Sequence, residues 1–312
     1  MKWAHLTSTG GAAVVAMFLL GASDRPAAQT AAVGIPFAPT QDASIRDPDN
    51  PTKVFRVDFA RVEHDLPLSR ADLMKLTPDN LMELSQEQID QIYGRLTAGP
   101  IPDGPHLGNL FFAQGDTLRK RLDEVLGGIE GRLAGTTIAV LENVGRDLWK
   151  GKVFFREQRI LRNMIEDLPL IRSLVDNPDA VMTTTIPREG WLSRFFPSDK
   201  VWLLFPAKLY CGQSLVDARR ESVIVDYNYS DDIEGYRPSP DSLAGRGGLR
   251  IRDEIRMIRP GFYLGRAYAN RMFLLNFTLY NAEVADRGEA GFAAGGTAAE
   301  DCWPGEQARA AQ

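Results

Sequence analysis

The stretch from Val201 to Tyr280 constrains this chain most. It strings together short runs of β-branched and aromatic residues, with charged side chains set inside those runs. Five strand candidates follow one another: Val201 to Tyr210, Ser222 to Tyr229, Leu249 to Ile258, Phe262 to Tyr268 and Met272 to Tyr280. Pro260-Gly261 and Asn270-Arg271 supply hairpin turns between the last three. Successive side chains of a strand point to opposite faces. In the third run this puts Leu249, Ile251, Asp253, Ile255 and Met257 on one face, and Arg250, Arg252, Glu254, Arg256 and Ile258 on the other. Ionisable groups on both faces of a meander read as the wall of a cavity, and so as a binding barrel or half-barrel.

Before that region the chain changes character several times. Residues 1–32 read as a secretory signal peptide: Lys2 and His5 open it, Ala12 to Ala22 is apolar, and small residues follow through Ala32. The apolar run is well short of the ~20 residues a membrane span needs. No other segment is long and apolar enough to span, so the expected mature protein is exported, most simply to a periplasm, with any envelope contact peripheral. Residues 33–52 form a Pro- and Asp-rich extended lead-in.

Residues 53–147 read as a mainly helical part, opened by an extended segment from Lys53 to Val62. Thr77 caps a helix with Pro78 at its first position, and Ser85 caps another with Gln88 as its capping-box partner. Ile89, Ile92, Tyr93 and Leu96 form the apolar stripe of that second helix, and the Gly- and Pro-rich run from Gly99 to Pro105 stops it. A long helical pattern follows from Asp116 to Val144, with Gly127, Gly131 and Gly135 on one side. Residues 148–281 form the antiparallel β region, opened by Leu148 to Phe155 and Ile160 to Ile165 across a turn at Arg156 to Arg159. Residues 230–248 are a long loop, and residues 282–312 an Ala- and Gly-rich, flexible tail.

Export makes the two cysteines a candidate pair. A Cys211–Cys302 bridge would tie the tail to the β region. Closing a loop of about ninety residues contributes up to roughly 4–5 kcal/mol in the chain-entropy view.

Motif chemistry narrows the choices by exclusion. The three histidines (His5, His64 and His106) and two cysteines are too scattered for a zinc motif, so no metal or other cofactor is expected. There is no Walker loop or dinucleotide fingerprint, and the residues after Gly212 do not form a nucleophile elbow. A net charge of −5 argues against nucleic acid as a partner.

What remains is polar chemistry in strands. Asp226 and Asp253 share faces with isoleucines, and a carboxylate on an apolar face must be paired, neutral or solvated. With Tyr210 and Tyr268 nearby, Arg256 would be the cation for a ligand head group, oriented by Asp253 or Asp226. Alternating charges also describe a solvated outer face, where cross-strand pairs contribute only about 0.2–1 kcal/mol. Trp149 and Lys152 form a second constellation around Gly151. Strict alternation places Lys150 and Lys152 on one side, with Trp149, Gly151 and Val153 on the other.

A helix ending in Gly94-Arg95-Leu96-Thr97-Ala98, then Pro102-Asp103-Gly104, later Trp149-Lys150-Gly151-Lys152-Val153-Phe154 and Asn163, and then a β region resembles the GXWXG-type bacterial proteins. Leu96 and Ala98 depart from the Trp and second Gly of the namesake motif, and the Asp116 to Val144 helix is an insertion. The resemblance implies a lipocalin-like or fatty-acid-binding-like barrel and an apolar ligand, with no catalytic residues to carry over.

The expected architecture is therefore α+β, with a helical N-terminal part packed on an antiparallel, lipocalin-like β-sheet or half-barrel. The expected function is binding of a lipid-like or other apolar anionic small molecule, through Trp149, Lys152, Tyr210, Asp226, Asp253, Arg256 and Tyr268. Two other readings remain. One is an isomerase, lyase or hydrolase with Asp226 or Asp253 as general base. The other is an envelope assembly or scaffold protein using the glycine stripe.

Overall fold

The computed structural model describes residues 33–38, 57–116, 148–166, 172, 175–185 and 200–305. The signal peptide, most of the lead-in and the Asp116 to Val144 helix with its glycine stripe lie outside the described residues, apart from Asp116 itself.

Four short helices lead into the β region: α1 (Phe59–Asp65), α2 (Arg70–Lys75), α3 (Pro78–Met82) and α4 (Gln86–Arg95). Their starts are written in side chains. Ser69, Thr77 and Ser85 each complete a capping box with the residue three positions on, satisfying amides the helix itself leaves free. Within the expected extended segment from Lys53 to Val62, residues from Phe59 onward are helical instead. Asp58 caps that turn by accepting from the Arg61 amide, a local bond that outweighs the alternating pattern.

Among the described residues nine strands follow: β1 (Gly104–Phe111), β2 (Trp149–Phe155), β3 (Ile160–Glu166), β4 (Thr183–Thr185), β5 (Lys200–Gln213), β6 (Glu221–Asp226), β7 (Ile251–Arg259), β8 (Phe262–Ala269) and β9 (Met272–Tyr280). They are ordered β3-β2-β1-β9-β8-β7-β6-β5-β4, and every pairing is antiparallel. A further β3–β5 pairing joins Ile160 to Lys208 and Glu166 to Val201, closing eight of these strands into a barrel. Closure removes the open edges a half-barrel would leave. β5 makes it possible by its length. Its first half pairs with β3 and β4, and its second half pairs with β6.

β1 lies in the stretch read as helical or turn. Its Pro105, Gly108 and Asn109 carry little strand propensity, and its place is set by pairing with β2 and β9 on either side. The stretch read as a tail begins instead with a helix, α5 (Ala282–Ala293), capped by Asn281 and seated by Ala285 and Phe292. Beyond it, Cys302 is bonded to Cys211 on β5, with Cα atoms 5.3 Å apart.

The charges on both faces of β7 now have a physical account, because both faces are covered. Inward, Ile255 and Met257 join Phe154, Leu161, Leu209, Val223, Val225 and Leu279 in the barrel core. Outward, Ile258 packs with Phe262 and Leu264 against Ile89, Ile92 and Tyr93 of α4 and against Leu96, which caps it. The run from Thr97 to Ile101 crosses one end of the barrel. There Thr97 O accepts from Met257 N at 3.0 Å, and Pro100 O accepts from the Tyr263 hydroxyl at 2.9 Å. The docked C-terminal segment thickens that plug. Asp301 accepts from Arg156 and from the Ile101 amide, and Glu300 accepts from the Gly99 amide and the Thr97 hydroxyl.

Candidate functional site

Inside the barrel, strand parity brings a cation among apolar side chains. Lys152 on β2 is 2% exposed. Its ammonium donates to Asn163 Oδ1 at 2.9 Å, to the Tyr227 hydroxyl at 2.6 Å and to Asp253 Oδ2 at 3.0 Å. Three protons thus meet three acceptors. The rings of Trp149, Tyr227 and Phe277 surround the same nitrogen, with centroids 5.4, 5.3 and 5.4 Å away. Cation–π attraction of this kind is strongest where water is excluded, at about 2 kcal/mol.

The partners are also bonded to one another. The Trp149 indole N–H donates to Asn163 Oδ1 at 2.8 Å, and Asn163 Nδ2 donates to the Tyr227 hydroxyl at 3.1 Å and to Phe205 O at 2.9 Å. The Tyr227 hydroxyl reaches Asp253 Oδ2 at 3.3 Å. Burial pushes the Lys152 ammonium below the usual lysine range, with Asp253 opposing the shift, and pushes the Tyr227 phenol well above its ordinary value. The desolvation cost of the cation, several kcal/mol, is offset by the carboxylate and the satisfied donors.

Trp149 reaches this cluster through a break in the strand. Trp149 is in register with Ile165 and Gly151 with Met164, so the ladder slips by one residue at Lys150. This β-bulge turns the indole to the same side as Lys152, where strict alternation had placed it opposite. Gly151 holds φ +130°, and a Cβ there would meet His106 O at 2.1 Å, so only glycine fits the bulge. Gly108 on β1 clears the space for the ring, since a Cβ on it would lie 2.2 Å from the indole.

At the end away from the plug, the inward-facing Leu110, Trp149, Ile251 and Leu275 are only partly buried. They form an apolar rim above Lys152. The loop of residues 230–248 folds beside this end. Asp241 accepts from the amides of Phe205 at 2.7 Å and Arg237 at 2.8 Å, anchoring the loop to β5. Burial raises the Asp241 carboxyl above its usual range, against the pull of those two amides. A cleft of about 350 Å³ lies in the loop layer between Tyr227, Asn228, Ser230, Asp231, Gly245 and Arg246.

The residues singled out from the sequence divide between two faces. Trp149, Lys152 and Asp253 come together inside. Arg256 is fully buried on the outer side, where it donates to Tyr93 O, Ser222 Oγ, Asp217 O and Arg220 O at 2.9 to 3.1 Å. It lies 4.8 Å from the Tyr93 ring centroid and 3.7 Å from the Asp217 carboxylate. Arg256 and Asp253 therefore point to opposite sides of β7. Tyr268 shares the outer side with Arg266, whose Nε donates to its hydroxyl at 3.0 Å. Tyr210 is 42% exposed and donates to Asp226 at 2.8 Å, and Asp226 also accepts from the Asn228 amide at 2.8 Å.

Asn163, quoted from the sequence only within the motif resemblance, completes the site with Phe277 and the direct role of Tyr227, neither of which was singled out. Asn163 was within reach: the Arg156 to Arg159 hairpin sets it opposite Lys152. Phe277 depends on closure, which no local signal announces. Among the described residues, the one grouping with metal-ligand spacing is Cys211, Glu221 and Cys302, and its two sulfurs are spent on the disulfide. No protein-family model matches this chain, and no curated protein or solved structure shows significant similarity to it.

Proposed function

We propose that this protein is an exported carrier that binds an apolar small molecule inside the barrel, with the ligand's polar head at Lys152, Tyr227 and Asn163. One observation carries this reading. The Lys152 ammonium sits deep in an apolar barrel, beneath a partly exposed rim of Leu110, Trp149, Ile251 and Leu275. Ligand sites are typically apolar with a few convergent polar groups, and the mouths of barrels are a common place for them. The Lys152 and Asp253 charges offset one another, so a hydroxyl or carbonyl head suits the site as well as an anionic one. The disulfide supports export to an oxidising compartment. The resemblance to the GXWXG-type proteins belongs to the same proposal, resting on the Trp149 to Phe154 run.

A general-base enzyme is less well supported. Asp253 is held by the lysine at 3.0 Å, and Asp226 by Tyr210 and Asn228 outside the barrel. Neither is an unpaired carboxylate free to take a proton from a substrate carbon or a water.

Native mass spectrometry of the protein isolated from its own cell envelope tests the proposal. A stoichiometric apolar small molecule, lost in a Lys152→Met/Asp253→Asn variant, is the expected result. A wild-type protein that is empty as isolated, and whose intrinsic tryptophan fluorescence ignores decanol, decanoic acid and decanal alike, overturns it.

A further inference from the structure

Resting on that reading of the barrel, we infer that Lys152 holds a carbonyl ligand covalently, as a protonated imine with the aldehyde group of an apolar molecule. Three features of the site converge on this chemistry.

The first is charge. An aldehyde R–CHO and the Lys152 ammonium combine to give the protonated imine R–CH=NH⁺–Lys152 and one molecule of water. The carbon–nitrogen bond forms and the carbonyl carbon–oxygen bond breaks. The oxygen leaves as water with two of the nitrogen's protons, and nothing is oxidised or reduced. Asp253 at 3.0 Å takes the proton that frees the attacking lone pair and returns it as the carbinolamine loses water. The product keeps one positive charge on nitrogen. The same carboxylate balances it, and the same three rings flank it.

The second is hydrogen bonding. Imine formation removes two of the three N–H donors of Lys152, which in most buried sites would orphan two acceptors. Here each acceptor has a second donor in place. Asn163 Oδ1 keeps the Trp149 indole at 2.8 Å, and the Tyr227 hydroxyl keeps Asn163 Nδ2 at 3.1 Å while donating toward Asp253 at 3.3 Å. The remaining N–H of the protonated imine donates to Asp253. The network closes over the modified nitrogen without a loose end.

The third is surroundings. Phe277 and Trp149 offer only hydrocarbon and ring faces to the carbon chain, and the partly buried Trp149, Leu110 and Leu275 continue that surface to the rim. Burial also favours the uncharged amine needed for attack, against Asp253, which favours the ammonium. A buried lysine in an apolar pocket is a recognised form of activated amine.

The test treats the disulfide-intact protein with decanal and sodium cyanoborohydride, followed by intact-mass measurement and peptide mapping. The expected result is one decyl group per chain on Lys152, ahead of the more accessible Lys75 and Lys208. That label is lost in Lys152→Met/Asp253→Asn, which removes both charges together. Decanol, which cannot form an imine, is titrated alongside by intrinsic tryptophan fluorescence. Decanol binding with label only on surface lysines overturns the imine and leaves the carrier reading standing. No label on Lys152, with no response to decanol or decanoic acid, overturns both. Should the double variant fail to fold, the position of the label in the wild-type map decides alone.

Discussion

Lys152 and Asp253 meet at 3.0 Å across the barrel interior, although they are 101 residues apart in the chain and sit on β2 and β7. Those strands are not neighbours; β1, β9 and β8 lie between them on one side, and β3, β5 and β6 on the other. The pair therefore forms only when the barrel closes. It is also what makes each partner tolerable, because a lone charge at 2% or 3% exposure is strongly disfavoured.

Breaking the pair from either side is expected to cost about 3–5 kcal/mol. Lys152→Met leaves a buried carboxylate, and Asp253→Asn leaves a buried ammonium. Lys152→Met/Asp253→Asn removes both charges and is expected to lose much less than the sum of the two. Urea denaturation of the four proteins measures the coupling directly. Strictly additive costs would show that the two charges act independently.

How much of this was legible in the sequence depends on range. The parity of β7 was readable, and it set Asp253 with Ile255 and Met257 on one face and Arg256 on the other, but which face looks inward is given only by the closed barrel. The alternation could not say that both sides would be covered, since the cover on the outer side is α4, far upstream in the chain. Arg256 therefore read as well for a head-group cation as for a scaffold residue. The Trp149 bulge was illegible for a local reason: alternation assumes an unbroken ladder, and only Gly151 hinted at a break. The Thr77 cap of α3 and the capping box of α4 were legible because each is contained within one turn of chain.

Placing a methyl at Gly108 should disturb the site without touching its polar atoms. The new Cβ would lie 2.2 Å from the Trp149 ring, and the indole must move or β1 must shift. Overpacking of this kind costs about 1–3 kcal/mol. Gly108→Ala is expected to change tryptophan emission and weaken ligand binding, as the Trp149–Asn163 bond at 2.8 Å is pulled apart. An unchanged emission spectrum with unchanged affinity would mean that the ring position is not set by Gly108.

His106 makes stability depend on pH in a definite direction. It lies 1% exposed between Phe154 and Tyr263, and burial pushes its ring down to about 4, with Gly104 O and Asp103 opposing. In the unfolded chain it titrates near 6.5. As pH falls through that value the unfolded chain binds the proton first, so stability is lost between about pH 6.5 and 4. The loss is largest, at about 3 kcal/mol, once pH falls below the folded value. His106→Phe keeps an aromatic ring there and removes the titration. Its urea midpoint should fall less than the wild type's between pH 7 and pH 4.5. Equal falls would assign the acid sensitivity to other groups.

The Cys211–Cys302 bond joins residues 91 apart in sequence, from β5 to the segment past α5. Constraining a loop of that length in the unfolded chain contributes roughly 4–5 kcal/mol at most. The native segment has further anchors: Trp303 and Glu221 exchange backbone and side-chain bonds at 2.9 and 3.0 Å, and Arg156 holds Asp301. Cys211→Ser/Cys302→Ser is therefore expected to keep the native far-ultraviolet spectrum while unfolding at lower urea. Loss of the folded spectrum in buffer would show that the polar anchors cannot hold the segment alone.

Arg256 offers the sharpest separation of scaffold from site. Its guanidinium satisfies Tyr93 O near the C-terminal end of α4 and two carbonyls of the β5–β6 connection, Asp217 O and Arg220 O, so it fastens the helical layer to β7. Arg256→Met would take the guanidinium from Asp217 O and Arg220 O, while Tyr93 O keeps the Leu96 amide at 3.2 Å, and it would remove the cation 3.7 Å from the Asp217 carboxylate, which keeps Arg219. Each orphaned group costs about 1–3 kcal/mol. The variant is expected to unfold at clearly lower denaturant, while the folded fraction binds decanol with wild-type affinity, because the barrel wall separates Arg256 from Lys152. Measuring affinity by intrinsic tryptophan fluorescence at denaturant-free conditions separates the two effects. A loss of affinity of about tenfold, or 1.4 kcal/mol, at unchanged stability would move Arg256 from the scaffold into the binding machinery.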